Sequence, residues 1–234
     1  MNVDDLTRRE MLAASSPLLA SDDWDALQEL WQPHIDNGDL DAMAYLAYMA
    51  LWCFDLPQSI DEQMRERLRD AARLGHADAM YWMTKMGHVD GPQREEYLRR
   101  AGDSGSRGAQ RDLGALYATG DWTGPKDPAR AVYWYHLAAE HEHDDAQYNL
   151  GFMYVLGEGT TADVEEGLHW LSRSAEQGNT SAMRLLSDLY ANGYYGVPKR
   201  TEEAERWQQL LRSAEDQERQ QKPRMYLHDL SGSR

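Results

Sequence analysis

One cysteine, Cys53, is too few for a disulfide within the chain, so the disulfide-stapled small scaffolds are excluded by count alone. Phenylalanine is nearly missing, two residues against 13 Tyr and 8 Trp; the aromatic content sits in side chains that carry a polar handle. Positive charge is scarce: 24 Lys and Arg face 40 Asp and Glu, a formal net of −16. The deficit is uneven, because residues 1–64 hold two basic and thirteen acidic side chains, net −11, which leaves −5 for the other 170. Such a field repels nucleic acid and anionic membrane and speeds encounter with a basic partner; solubility is the plainer use for it. No apolar run approaches the eighteen or more residues of a membrane helix.

Catalytic signatures are lacking too. There is no phosphate-binding glycine loop, no Gly-x-Ser-x-Gly, no His-Glu-x-x-His and no paired-cysteine metal spacing. Cys53 lies in the apolar run Leu46–Phe54 with no His or Lys adjacent to activate it, and reads as a buried, inert thiol. The one dense polar cluster comprises His136, Glu140, His141, Glu142, His143, Asp144 and Asp145. His136 and Glu140, four apart on a helix, can share a metal with His143 from the next turn. The register described below puts Glu142 in an inter-repeat turn, so the cluster reads as solvated, with no metal or cofactor expected.

What the chain does have is a register. Ala42, Ala79, Ala109, Ala146 and Ala182 recur at spacings of 37, 30, 37 and 36. Four residues after each stands a large apolar side chain: Leu46, Met83, Leu113, Leu150 and Leu186. Five after stands a small one: Ala47, Thr84, Gly114, Gly151 and Ser187. Eight after, the last three copies have Tyr117, Tyr154 and Tyr190, where the first two have Ala50 and Gly87. Four before are Gly38, Gly75, Gly105, Glu142 and Gly178; twelve before are Leu30, Arg67, Tyr97, Trp134 and Trp170. At about 100° per residue, offsets 0, +4 and +8 share one helix stripe, and a period of this length marks stacked helix-turn-helix units. An interior glycine costs roughly 1 kcal/mol relative to alanine, so Gly114 and Gly151 are read as places where adjacent backbones approach closely. Trp134 with Ala138 and Ala139, and Trp170 with Ser174 and Ala175, set a wide side chain against small ones a turn later.

The run Leu113-Gly114, Tyr117, Gly120, Ala131, Trp134 and Ala138-Ala139 resembles a Sel-1-like repeat, a subclass of the tetratricopeptide-like α-solenoids. Leu150-Gly151, Tyr154, Gly157, Gly159, Trp170 and Gly178-Asn179 repeat it, as do Leu186, Tyr190, Gly193, Gly196-Val197 and Trp207. The resemblance is specific over 109–214 and loose over 39–108, where the first copy has Arg67-Leu68 in place of the aromatic and the second is seven residues short between its helices. It implies an all-α, right-handed α-solenoid of about five helix-turn-helix repeats with N- and C-terminal capping helices. The expected division is 1–38 as N-terminal segment and capping helix, with a helix near Asp22–Asn37 kinked at Pro33. A solenoid follows over 39–214, with repeats near 39–75, 76–105, 106–142, 143–178 and 179–214. Residues 215–234 form a polar helix end and tail closed by Pro223. His76, directly after a repeat glycine, is expected to be structural. Thr7-Arg8-Arg9 superficially resembles a twin-arginine export signal, but Asp4 and Asp5 precede it and the apolar stretch is short. Thr7-x-x-Glu10 reads instead as a capping box, and the chain as cytoplasmic.

Function follows from the surface that this fold implies. Offsets +2, +6 and +9 lie opposite the packed stripe, on helices that line the concave side of tetratricopeptide-like stacks: Ala44, Tyr48 and Leu51; Tyr81, Lys85 and His88; Arg111, Ala115 and Ala118; Tyr148, Phe152 and Val155; Arg184, Asp188 and Ala191. Tyr48, Tyr81, Arg111, Tyr148, Phe152 and Arg184 form the candidate partner-binding strip, in residue types enriched at binding hot spots. A competing use of the aromatics is packing against neighbouring helices. The reading is a non-enzymatic adaptor or scaffold for a protein ligand, and the acidity suits a basic one. The alternative implied by the resemblance is an immunity protein that neutralises a bacterial toxin, because small solenoids of this family stand in such loci and an acidic inhibitor suits a basic nuclease. A metal-dependent enzyme is the remotest reading.

Overall fold

The computed structural model describes residues 3–87, 91–120 and 125–221, with the side chains of 3–9, 91–92, 218 and 220–221 left aside. His88 and Pro223 fall outside the described residues. Among the described residues there are twelve α-helices and no strand, the all-α solenoid class that the register implies. The chain forms two compact units, residues 1–109 and 110–234. Unit 1 holds α1 (Val3–Ala20), α2 (Trp24–Asp36), α3 (Leu40–Cys53), α4 (Gln58–Arg73), α5 (Ala77–Lys85) and α6 (Gly91–Asp103). The division falls inside α7 (Arg107–Thr119), and unit 2 continues with α8 (Pro128–Glu140), α9 (Asp144–Leu156), α10 (Val164–Glu176), α11 (Thr180–Asn192) and α12 (Thr201–Gln221).

The alanine stripe is the packed one. Ala42, Leu46, Ala79, Met83, Ala109, Leu113, Ala146, Leu150, Ala182 and Leu186 are all buried. Four of the five first helices start three residues before their alanine on a side chain that accepts from the alanine N–H: Asp39 at 3.0 Å, His76 through Nδ1 at 3.0 Å, Ser106 at 3.5 Å and Asn179 at 3.0 Å; in α9, His143 holds the same slot without a side-chain cap. The four are N-caps, which satisfy one of the orphan donors of the first turn. His76 is structural, as its position in the register implies. With Nδ1 accepting, its proton sits on Nε2, which donates to Asp41 Oδ1 at 3.0 Å. The residue before each cap is left-handed: Gly38, Gly75, Gly105 and Gly178 have φ between +81° and +100°, and Glu142 holds the same slot at +58°. That conformation is costly for a side chain, so Glu142 is the one strained joint of this series.

Gly114 and Gly151 are close-approach points. A Cβ on Gly114 would lie 2.5 Å from the ring of Tyr135 on α8. One on Gly151 would lie 2.7 Å from the Gly167 carbonyl oxygen and 2.9 Å from the Leu171 amide of α10. The partner glycine, Gly167, was not singled out by the register, yet a Cβ there would meet the Gly151 carbonyl at 2.8 Å. Around this seam the core of unit 2 comprises Val155, Leu171, Met183, Leu186, Leu189, Val197 and Trp207 on one side and Tyr135, Leu150, Met153 and Trp170 on the other.

Two buried amides add a polar register to the apolar one. Gln147, with no exposure, donates to the Ala139 carbonyl at 3.1 Å and accepts from Gln177 Nε2 at 2.7 Å. One repeat earlier, the equivalent pair is Gln110 and His141, whose Oε1 and Nδ1 lie 3.3 Å apart. Each pair joins the residue after a register alanine to the residue before the following left-handed turn. A buried amide that loses its partner costs about 1–3 kcal/mol, so these pairs favour one alignment of neighbouring hairpins.

Several expectations are corrected. α1 begins at Val3, so Thr7 lies inside a helix and does not open one. Instead of a short helix, residues 3–20 form an eighteen-residue one, fixed to α2 where Trp31 Nε1 donates to Ser15 Oγ at 2.8 Å and Ser15 donates on to the Met11 carbonyl at 2.8 Å. α2 continues through Pro33 to Asp36, so the proline occupies the last turn, where the helix is already ending. Ala44 and Val155, assigned to the open face, are buried. α3 packs on α1, α2, α4 and α5 together, and Val155 joins the core cluster of α10, α11 and α12. Cys53 is exposed, because the last residue of α3 stands where the chain leaves its neighbours. Even there, partial burial pushes its thiol up, which keeps it in the unreactive form.

Burial also pushes the Tyr135 phenol up to about 12 against an ordinary value of 10.0, with Arg111 pulling weakly the other way. The folded chain therefore retains a proton that the unfolded chain releases. The stability from this group is complete below pH 10 and falls above it by at most ~1.4 kcal/mol per pH unit until the folded phenol itself ionises. Tyr135→Phe is expected to abolish this loss. In urea titrations at pH 9 and pH 11, the variant should gain on the parent between the two; a constant difference would show that the phenol is not desolvated.

Candidate protein-binding surface

The strip divides into groups with different surroundings. In unit 1, Tyr48 and Tyr81 line a single pocket of about 360 Å³ together with Trp52, Trp82, Lys85 and Met86. Tyr48 and Trp52 are four residues apart on α3 and therefore share a face. Their rings stack at 5.9 Å and 17°, and the other side of Tyr48 stacks on Trp82 of α5 at 4.2 Å and 22°. Trp82 is braced from behind by the edge of Tyr45 at 5.3 Å, and Tyr45 in turn stacks at 6.4 Å on the fully buried Trp31. A continuous file of rings thus runs from the core of unit 1 to Trp52, which is 59% exposed. Lys85 lies over the Tyr81 ring, 5.5 Å from its centroid. Burial pushes the Tyr48 phenol up, with the neighbouring Cys53 thiol adding to the effect; Tyr48 acts here as a neutral ring.

The short second repeat gives this pocket its origin. Trp52 stands ten residues after its register alanine, whereas α5 ends at Lys85, six after its own. The last turn of α3 therefore extends beyond the end of α5. The seven missing residues produce a step, and the rings of α3 and α5 wall it. Tyr81 also serves packing: a Cβ on Gly108 would lie 2.6 Å from its ring, so this strip residue is partly committed to α7.

In unit 2 the strip residues remain separate. Tyr148 and Phe152, one turn apart on α9, hold parallel rings 6.5 Å apart, and Tyr148 packs partly against the core cluster. Arg111 pairs with Asp112 at 2.7 Å, and Arg184 with Glu215 of α12 at 3.0 Å. Both guanidinium groups are thus held by the chain's own carboxylates. Tyr133, Tyr194 and Tyr195 are each more than half exposed, with Tyr195 at a left-handed φ of +56°.

The histidine cluster does not converge as the spacing suggests. His136 Nδ1 lies 3.7 Å from Glu140 Oε1, while His143 groups with Asp144 and Asp145, the three ligand atoms lying within 4.8 Å of one another. Asn179 Nδ2 donates to both of those carboxylates at 3.1 Å, and Ser174 donates to the Asp144 carbonyl at 2.8 Å. The acidic pair therefore ties α9 to α10 and α11. Trp52, Trp82 and Met86 are the lining residues that the register missed. Trp52 and Trp82 lie outside the +2, +6 and +9 stripe, and only the shortened repeat signalled that the stripe would be interrupted there.

Residues 108–143, 144–179 and 180–210 match the family model of the Sel1 repeat. Three Sel1 repeats therefore occupy residues 108–210. Over 181 residues it is 32% identical to the chitin synthase regulator SKT5 of Malassezia restricta, an alignment covering 74% of this chain and 12% of that protein. The alignments span between about an eighth and a fifth of the length of the curated relatives that the chain matches. Among solved structures, a Sel1 repeat protein from Oxalobacter formigenes is similar with a TM-score of 0.71 and 27% identity, over 92% of this chain and 91% of that one. An immunity protein from Pseudomonas aeruginosa is similar with a TM-score of 0.61 and 20% identity, over 91% and 81% of the two chains; this likeness shows the fold alone. Sel1-repeat proteins are modules of protein–protein interaction. Among the described residues, no helix is long and apolar enough to cross a membrane.

Proposed function

We propose that this protein is a non-enzymatic adaptor or scaffold, acting in the cytoplasm, that binds a protein ligand on the first helices of its repeats. The proposed contacts are Tyr48 and Tyr81 in unit 1, and Arg111, Tyr148, Phe152 and Arg184 in unit 2. The observation that carries the reading is the exposed aromatic pocket of unit 1, because a file of rings ending in a largely exposed tryptophan has the composition of a binding hot spot. The acidic first 64 residues would attract a basic ligand and raise its association rate. That same acidity favours the second reading, immunity against a basic toxin, which protection of cells expressing the cognate toxin would distinguish.

Photo-crosslinking tests the surface. A benzophenone amino acid placed at Lys85 or at Phe152 is expected to trap a protein adduct of one defined mass, whereas the same residue at Arg73 of α4 or Arg219 of α12 should trap none. Equal trapping at all four positions, or none at any, would overturn the proposed surface.

A further inference from the structure

We propose that the unit 1 pocket receives an arginine side chain of the partner, its guanidinium laid flat on Trp52 at the open end of the Trp52–Tyr48–Trp82 stack. The inference rests on the protein-binding reading above and names the chemistry of the group that enters. Trp52 has one ring face against Tyr48 and is 59% exposed, so what completes the stack must be planar. Two side-chain classes are planar enough, another aromatic ring and a guanidinium. Charge decides between them. Trp52 and Tyr48 belong to the first 64 residues, which carry a net of −11, and electron-rich ring faces attract a cation in addition.

The protein already uses this pairing. Within the same pocket, the Lys85 ammonium lies over Tyr81. Elsewhere, Arg130 lies over Tyr117 at 5.4 Å, Arg173 over Trp170 at 5.0 Å and Arg206 over Trp207 at 5.4 Å. Lys85 also defines where a second cation can sit. Its charge holds an incoming guanidinium to the Trp52 end. Arginine is preferred to lysine because its delocalised plane matches the ring and is more weakly hydrated.

The test uses the full chain and capped nonapeptides of glycine and serine that carry one central arginine, citrulline, lysine or phenylalanine. The indole N–H resonances of Trp52 and Trp82, assigned through Trp52→Phe and Trp82→Phe, report binding. The arginine peptide is expected to shift both resonances with an affinity at least fivefold above that of the citrulline peptide, which keeps the plane and loses the charge. Trp52→Phe should weaken binding a few-fold and Trp52→Ala should abolish the Trp82 shift. A phenylalanine peptide that binds as tightly as the arginine one, or an arginine response unchanged in Trp52→Ala, would overturn the inference. Failure of the protein-binding reading is seen separately, as absence of a crosslinked partner at Lys85 and Phe152 while the peptide selectivity persists.

Discussion

Gly151→Leu is expected to lower the stability of unit 2 by about 3 kcal/mol, the upper end of the ordinary overpacking range. The magnitude follows from what the new side chain would meet. Flexible side-chain tips can rotate away, but Gly151 faces backbone: the Gly167 carbonyl at 2.7 Å and the Leu171 amide at 2.9 Å from an added Cβ. Accommodation therefore requires α9 and α10 to separate, and with them the contacts of Leu150 and Leu171, both fully buried. Gly151→Ala sharpens the test, because helix propensity alone would favour alanine by roughly 1 kcal/mol. We expect it to destabilise all the same. Urea unfolding monitored by helical circular dichroism decides the matter; a midpoint equal to that of the parent in the leucine variant would show that the seam is looser than these distances require.

Much of this architecture was legible because the alanine register encodes it directly. Ala146, Leu150 and Gly151 say in three residues that a stripe is packed and that one edge of it is crowded. The caps at Asp39, His76, Ser106 and Asn179 repeat at one fixed offset, and the left-handed turns precede them. The identity of the crowding partner was not legible. Gly167 stands three residues before Trp170, as Ala131 does before Trp134, but a small residue in that slot does not say which backbone it faces, and only the crossing of α9 and α10 places its carbonyl against Gly151. The same holds for Gln147 and Gln177, two ordinary polar residues thirty positions apart whose burial is decided by the stacking of hairpins.

The surface was legible in part. Tyr48 and Tyr81 follow from offsets +6 and +2, and both line the pocket. Trp52 and Trp82 do not follow from those offsets, because the register presumes equal repeats and α5 is shortened. Solvent exposure at the stripe is a property of neighbours. Ala44 is buried because α3 has helices on several sides, while Arg184, Asp188 and Ala191 at the equivalent offsets of α11 are exposed. Cys53 reverses the expectation as well: an apolar run predicts burial on average, but Cys53, the last residue of α3, is exposed.

Trp31→Ala is expected to cost unit 1 about 3–5 kcal/mol, the range for a buried aromatic removed from a core. Trp31 is 1% exposed, and it performs three tasks that the alanine cannot. It fills the space between α1 and α3, it donates through Nε1 to Ser15, and it backs Tyr45 at the base of the ring file. With the whole stability of a domain of the order of 5–15 kcal/mol, such a loss is a large fraction of what holds unit 1 folded. Trp31→Phe separates the tasks. The ring remains, and Ser15 keeps its bond to the Met11 carbonyl, so the variant should lose only about 1–2 kcal/mol from the missing hydrogen bond and the smaller volume. The two variants should differ at the pocket as well. Tyr45 without its backing ring no longer braces Trp82, so Trp31→Ala should broaden the Trp52 and Trp82 indole resonances under conditions where helical circular dichroism is still native, and Trp31→Phe should leave them sharp. Sharp, unshifted Trp52 and Trp82 signals in a folded Trp31→Ala protein would mean that the pocket is held by the helices alone and that the ring file contributes nothing to its order.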